Sequence, residues 1–357
     1  MRYIDVSLLE PNMVLGRSLY GANNERMLKR GQPIKAEYID RIKALGFQGL
    51  YIKDGISDDI EIEDVVSEKL RMEAIGRLRD LFIFDEKKDI KHFEETLTNI
   101  NNTVGNMVEE IDGNRNAMIN MMDLKIYDEY TFYHCVNVSI IAVAIGCGLG
   151  MSHQELTQLG LAGMLHDIGK QRIPKAILEK EDNLTEEEFK ELKKHPAYGY
   201  RMMRDCNNLS PQVYLSILQH HERIDGSGYP HGKKGNDISL YARIIGVADC
   251  YDAIISKRPY HEPILPSDAI EYIMGGSGTL FDPEIVRVFL RKVSAYPVSM
   301  CVMLSNGVPA IVVKNFEDAS TRPIVKLLKG DVHNPTYINL KDDPNAQNLT
   351  IVSVLNI

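Results

Sequence analysis

The stretch LTQLGLAGMLHDIGK, Leu156 to Lys170, decides how this chain is read. Its first half, through Gly163, is apolar and rich in small residues, the composition of a tightly packed helix. Its second half sets an imidazole, His166, beside a carboxylate, Asp167, with Lys170 three residues on. A charged carboxylate in apolar surroundings is costly unless something pairs with it. The rest of the chain must supply that partner.

The composition allows a large core. The 357 residues are 44% hydrophobic and 25% charged, an ordinary globular balance with room for two or three domains. The net charge of −9 argues against a nucleic-acid polymer as main partner, because a phosphate backbone is bound by clustered Lys and Arg. A small anionic ligand in one local pocket stays open. The five cysteines, Cys135, Cys147, Cys206, Cys250 and Cys301, are scattered and form no CxxC pair. They fit free thiols in a reducing compartment, so a cytoplasmic location is expected. The opening MRYIDVSLLEPN has no apolar signal-peptide core. The longest apolar run, Val136 to Leu149, is too short to span a bilayer and contains Asn137 and Ser139. It reads as a buried helix, and no membrane insertion is expected.

The expected fold is mainly α, in four parts. Residues 1–60 form a small α+β unit of regulatory character, with a hairpin around GANN, a helix over KAEYIDRIKALGF capped by Gly46, and a strand at GLYIKD. Residues 61–122 form a helical connector. Within it Phe93, Leu97, Ile100, Val104, Met107, Ile111 and Met118 follow a heptad seam, with Asn114 at the missing step. Such a seam suits a helix packed on its own domain, or a homodimer or signal-relay helix; a polar Asn in the seam favours the second. Residues 123–292 are again helical. Residues 293–357 turn β-rich, with a hairpin signal at SNG, and read as a small appendage.

Most of the candidate chemistry lies in the helical region. His134, His166, His195 and the pair His220-His221 fall there, and Asp249 sits in the apolar run YARIIGVADCYDAII. Imidazoles and carboxylates without sulfur are the ligands of first-row divalent metals. Neighbours on a helix point about 100° apart, so His166 and Asp167 can reach two ions, or Asp167 can bridge both. His195 precedes Pro196 and therefore starts a helix. With His134 and Asp249 this makes seven ligands on five segments. That suits two metals with open positions for water and substrate. Two divalent ions, two carboxylates and a hydroxide sum to a single positive charge, complementary to a phosphodiester, and Lys170 adds a donor near the phosphate.

The motifs DEYTFYHCVNV, HDIGK, LTEEEFKELKKHP, HHERIDGSGYP and ARIIGVADCYDAIISKRPY resemble, in order and spacing, those of the HD-GYP family of HD phosphohydrolases. The match covers about residues 123–292. The resemblance implies an all-helical HD-type catalytic domain with a metal centre, often iron or manganese, that hydrolyses cyclic di-GMP to linear pGpG and in some members on to GMP. It implies His134, His166, Asp167, His195, His220, His221 and Asp249 as metal ligands, Asp167 as the bridge, and Asp167 with Lys170 as catalytic groups. Substrate contacts are expected from Lys170, Gly228, Tyr229, Asp252, through guanine, and Arg258, through a phosphate. The loop Gly226 to Pro230 alternatively shapes the mouth of the site or docks a signalling protein. Two positions depart from the family. Tyr130 stands where some members carry a third-metal Glu, so two metals are expected. His261 follows RPY in place of a basic residue, which leaves cyclic GMP-AMP open as substrate. A cyclic-dinucleotide sensor with little turnover is the reading from another class, and the complete ligand set argues against it.

Overall fold

The computed structural model describes residues 1–21, 25–47, 49–83, 90–115, 117–120, 130–180, 182–206, 209–256, 264–328 and 334–355. They form two compact units, one of Met1–Asp64, Asn116–Tyr130 and Val293–Ile357, the other of Val65–Arg115 and Thr131–Lys292.

The first unit is β-rich. At the N-terminal end run β1 (Arg2–Asp5), β2 (Val14–Leu15), β3 (Leu19–Tyr20), β4 (Arg26–Leu28), α1 (Ala36–Ala44) and β5 (Gly49–Lys53). β5 is central in an antiparallel sheet of order β1-β5-β2, and β3 pairs with β4. Ile39 and Ile42 of α1 are buried, and the Gly46 N–H closes the helix on Lys43 O at 3.0 Å. At the other end β6 (Cys301–Leu304), β7 (Pro309–Lys314), β8 (Ile324–Leu327), β9 (Tyr337–Asn339) and β10 (Ile351–Val354) form an antiparallel sheet of order β10-β6-β7-β8-β9. The hairpin expected at SNG joins β6 to β7. The two ends group into one unit for a physical reason. Ile60 shares a core cluster with Val298, Cys301 and Ile311, and the buried Lys326 ammonium donates to Ile56 O at 2.6 Å and Asp59 at 2.7 Å.

The second unit is helical. The connector supplies α2 (Glu68–Ile83) and α3 (Ile90–Gly113), which pack together, and α3 also packs on α5 (His153–Leu165). This favours the first of the two readings of the seam, a helix packed on its own domain. Phe93, Leu97, Ile100, Val104, Met107 and Ile111 are all buried inside the unit, so the seam is not an open apolar stripe for a second copy. Asn114 is exposed just past the end of α3 and occupies no seam position.

α4 (Tyr130–Gly148) is apolar all round, as a core helix should be. Its segment Thr131–Gly148 is long and apolar enough to cross a membrane, yet 83% of it is buried inside the protein. The small residues of the opening stretch let α5 lie close on α4: a Cβ on Gly163 would stand 2.9 Å from Ser139 Cα. Ser152 and Glu155 form a capping box that starts α5. Then follow α6 (Lys175–Leu178), α7 (Glu186–Leu192), α8 (His195–Met203), α9 (Pro211–Gln219), α10 (Leu240–Ile255), α11 (Pro266–Gly275) and α12 (Pro283–Lys292). Pro196 lies in the first turn of α8, so His195 opens that helix as its sequence requires. α5, α8 and α10 all pack on α9, which brings their ligand-bearing segments together.

Candidate metal centre

Three of the imidazoles are held by one local device. His166 caps the end of α5, His220 caps the end of α9, and His195 follows closely on the end of α7. Each Nδ1–H donates to the backbone carbonyl three residues back: His166 to Gly163 at 2.7 Å, His195 to Leu192 at 2.8 Å, His220 to Ile217 at 2.8 Å. Terminal carbonyls of a helix lack intrahelical donors, so these bonds satisfy the backbone and fix the ring. A carbonyl only accepts, so each Nδ1 carries the proton and each Nε2 turns a lone pair inward. His134 on α4 reaches the same state differently. Its Nδ1–H donates to Asp252 Oδ2 at 2.7 Å.

Asp167 sits among these rings and is 1% exposed. Its Oδ1 lies 3.3 Å from His195 Nε2, and its Oδ2 lies 3.4 Å from His166 Nε2, 3.9 Å from His134 Nε2 and 2.6 Å from Lys170 Nζ. Asp249 Oδ1 is 3.1 Å from His134 Nε2 and its Oδ2 is 3.7 Å from His221 Nδ1. The seven expected ligands are therefore together. Ligand atoms of His195, His220 and His221, of His134, His166 and Asp167, and of His166, His220 and Asp249 lie within 4.8 Å of one another in each group.

The donor set fits a divalent metal. His195 Nε2 and His220 Nε2 are 3.2 Å apart, and both Nδ1 atoms are already committed as donors, so two lone pairs face each other. That is repulsive without a cation. With metal–nitrogen bonds of about 2.1 Å, nitrogens at this separation are adjacent ligands of one ion. His166 Nε2 is buried with no hydrogen-bond partner. The carbonyl and carboxylate bonds to the far nitrogens are the outer-shell contacts that orient metal-binding histidines.

The electrostatics agree. Burial lowers the His195 pKa to about 4, and burial with neighbouring imidazoles holds His220 and His221 well below the ordinary value, so these rings stay neutral and able to ligate. Burial opposes the charge on Asp167, but Lys170, His166 and His195 outweigh it and hold the carboxyl well below the usual range. Burial also opposes the charge on Asp249, and the adjoining His134 and His221 outweigh it and hold the carboxyl well below the usual range.

The loop after His221 is built around its backbone. The Glu222 carboxylate accepts from His231 N–H at 2.8 Å and Lys233 N–H at 3.0 Å. A Cβ on Gly228 would stand 2.4 Å from both Arg223 N and His221 O, so only glycine fits there. The Tyr229 N–H donates to His221 O at 3.2 Å, and the Tyr229 ring stacks on the His221 ring with centroids 4.7 Å apart. Lys193 Nζ stands 5.3 Å from the Tyr229 ring centroid and 4.5 Å from that of the exposed Phe189.

Asp252 corrects an expectation. It is fully buried, with Oδ2 on His134 and Oδ1 accepting from Asn137 Nδ2 at 2.9 Å, so it orients a ligand and is closed to guanine. Arg258 and His261 lie outside the described residues, as does Glu129. Sequence reasoning gave no role to Glu222, although it stands in the quoted HHERIDGSGYP, nor to Asn137, which it treated as an interruption of an apolar run. The signal for Asn137 was its place one turn after His134.

Comparison with known proteins adds the family. An HD domain matches residues 114–285. A cyclic di-GMP phosphodiesterase of Pseudomonas aeruginosa is 41% identical over 59% of this chain and 51% of its own length. One of Thermotoga maritima is 34% identical over 66% of this chain and 65% of its own. A 3'3'-cGAMP-specific phosphodiesterase of Vibrio cholerae is 33% identical over 44% of this chain and 30% of its own. The chain thus spans between 41% and 65% of the length of the first curated relatives it matches. The solved structure of an HDG"Y"P protein from Bdellovibrio bacteriovorus shares the fold, with a TM-score of 0.51 and 19% identity over 80% of this chain and 97% of that one. In its HD domain, its motif series and these relatives, the chain is similar to the HD-GYP branch of the HD-domain family.

Proposed function

We propose that this chain is a metal-dependent phosphodiesterase that hydrolyses cyclic di-GMP to pGpG in the cytoplasm, using two divalent ions, iron or manganese. The observation that carries the reading is the facing pair of His195 and His220 Nε2 atoms beside a buried Asp167 whose two oxygens turn toward different histidines. His195, His220 and His221 form one ligand group, His134, His166 and Asp167 a second, and His166, His220 and Asp249 a third, while Asp167 also turns its Oδ1 toward His195. Bound divalent ions supply Lewis acidity and a water of lowered pKa.

The chain's own residues do the rest. His195, His220 and His221, which burial holds in the neutral form, keep their lone pairs for ligation. Lys170 is 23% exposed at the edge of the cluster, where its ammonium, now on Asp167, can also donate to a phosphoryl oxygen. Tyr229 covers the open face of His221 and limits water there. The choice of cyclic di-GMP follows the relatives named for it.

The test is turnover. The chain is purified without oxygen, loaded with iron(II) or manganese(II), and cyclic di-GMP is followed by chromatography beside Asp167→Ala. Metal-dependent formation of pGpG, absent in the variant, supports the reading. Turnover of cyclic GMP-AMP alone overturns the substrate, and binding without turnover overturns the enzyme in favour of a sensor.

A further inference from the structure

A continuous chain of side chains joins the connector to the metal centre. Arg71 Nη1 on α2 donates to Asn137 Oδ1 at 2.8 Å, Asn137 Nδ2 donates to Asp252 Oδ1 at 2.9 Å, and Asp252 Oδ2 accepts from His134 Nδ1 at 2.7 Å. Asn137 is 2% exposed and Asp252 and His134 are fully buried, so these inner links are shielded from water.

The chain has one polarity. A guanidinium only donates, so Asn137 must turn its oxygen to α2, which leaves its amide nitrogen for α10. An ionised carboxylate only accepts, so His134 must carry its proton on Nδ1 and present the Nε2 lone pair to Asp249 and Asp167. Without Arg71 the amide oxygen loses the donor that holds it toward α2, and of this chain only Asp252 still orients the amide. A turned amide would set its oxygen against Asp252 and release the carboxylate that aligns His134.

We propose that Arg71 and Asn137 are positioning residues for the ligand His134, so that the seating of α2 in the connector sets metal affinity at the centre. The proposal rests on the reading of the cluster as a metal site. It gives the connector a chemical handle on activity that needs no contact with substrate.

The test measures metal binding itself. Manganese(II) dissociation constants and the visible spectrum of the cobalt(II)-loaded protein are compared for the full chain, Arg71→Leu, Arg71→Lys, Asn137→Ala and the double variant. The expected result is a loss of affinity of about tenfold in Arg71→Leu, the scale of outer-shell ligand partners, with a shifted cobalt spectrum. Arg71→Lys, which keeps a charged donor, retains most of the affinity. The double variant is no weaker than Asn137→Ala, because both act through one chain. Should Asn137→Ala fail to fold, Arg71→Leu on the partly exposed α2 face still decides. A lower melting temperature of the metal-free variants with unchanged dissociation constant and spectrum would mean a merely structural role and overturn the proposal. Wild-type protein that takes up neither ion would overturn the metal-site reading, and this one with it.

Discussion

The metal cradle and the loop of residues 222–233 meet at His221, and they are specified by opposite means. In the cradle, side chains do the positioning: four of the five rings are fixed by their Nδ1 atoms, His134 within α4 and His166, His195 and His220 at helix ends. In the loop, backbone space does it: Gly228 has no room for a Cβ, and Glu222 holds two loop N–H groups. Outside Gly169, where a Cβ would stand 1.9 Å from His195 O, the cradle should therefore be more sensitive to charge and protonation than to small changes of volume. The loop should be the reverse.

The largest effect is expected at the cradle. Asp167→Asn keeps the volume, removes the charge, and leaves Lys170 without its 2.6 Å partner. Turnover should fall by more than about 10³-fold, the scale of losing a charged group in the reacting shell. Metal content measured on the purified variant should fall with it. An Asn variant that keeps both would break the comparison at its stronger half. The volume probe comes next. Gly228→Ala adds one methyl against backbone atoms, which must shift, at a cost of about 1–3 kcal/mol. Urea unfolding reads the loss, and the metal stoichiometry should stay at the wild-type value.

Acid separates the regions further. Folded His195 titrates at about 4 because burial disfavours its charged form. An unfolded histidine titrates near about 6.5, so between those values the unfolded chain holds the extra proton. The metal-free protein should lose stability as the pH falls through this window, and His220 and His221 act in the same direction. Below it Asp167 and Asp249, whose folded values are depressed, lose their contribution as they take protons. His166 runs the other way. Burial opposes its charge, but Asp167 raises its pKa, so its contribution is complete below the unfolded value and is lost as the pH rises through the folded one. It leaves the acid window unchanged. Bound metal competes with these protons and should flatten the profile. Melting temperatures across the window, with and without manganese(II), check this. Gly228→Ala should show the same slope as wild type.

A milder probe of the loop is Glu222→Gln. One carbonyl oxygen remains, but the amide nitrogen now faces a backbone N–H, at a cost of about 1–2 kcal/mol. Faster amide exchange should be confined to His231 and Lys233. Faster exchange at the cradle helices instead would show the two regions to be one cooperative element.

These regions also differ in how far the sequence disclosed them. His166, Asp167, His195, the His220 pair and Asp249 were legible because charged or metal-binding side chains are conspicuous in apolar helices. Asp252 shared that signal and was misassigned, because a carboxylate one turn from Asp249 looks the same whether it faces a substrate or His134. Asn137 was hidden by its small size and neutral charge. The heptad seam was read correctly as apolar periodicity. Periodicity alone does not say whether the partner is α5 of the same chain or a second copy. In the β-rich unit each strand signal was local and legible, while the joining of the two ends through Ile60 and Lys326 depends on contacts far apart in sequence that carry no local pattern.

The smallest predicted effect tests the boundary itself. Tyr229 belongs to the loop by its backbone and to the cradle by its ring, which stacks on His221 at an interplanar angle of 28°. If the ring acts by stacking, Tyr229→Phe should leave metal affinity and KM within about twofold of wild type. Tyr229→Leu should lose about 0.5–1.5 kcal/mol, the value of an aromatic pair beyond its area. That loss should appear in metal affinity, since the ring it releases is a ligand. If Phe were as damaging as Leu and the damage fell on KM alone, the hydroxyl would be touching substrate. Tyr229 would then be a substrate-reading residue, and the division between a side-chain cradle and a backbone loop would have to be redrawn through the middle of this one residue.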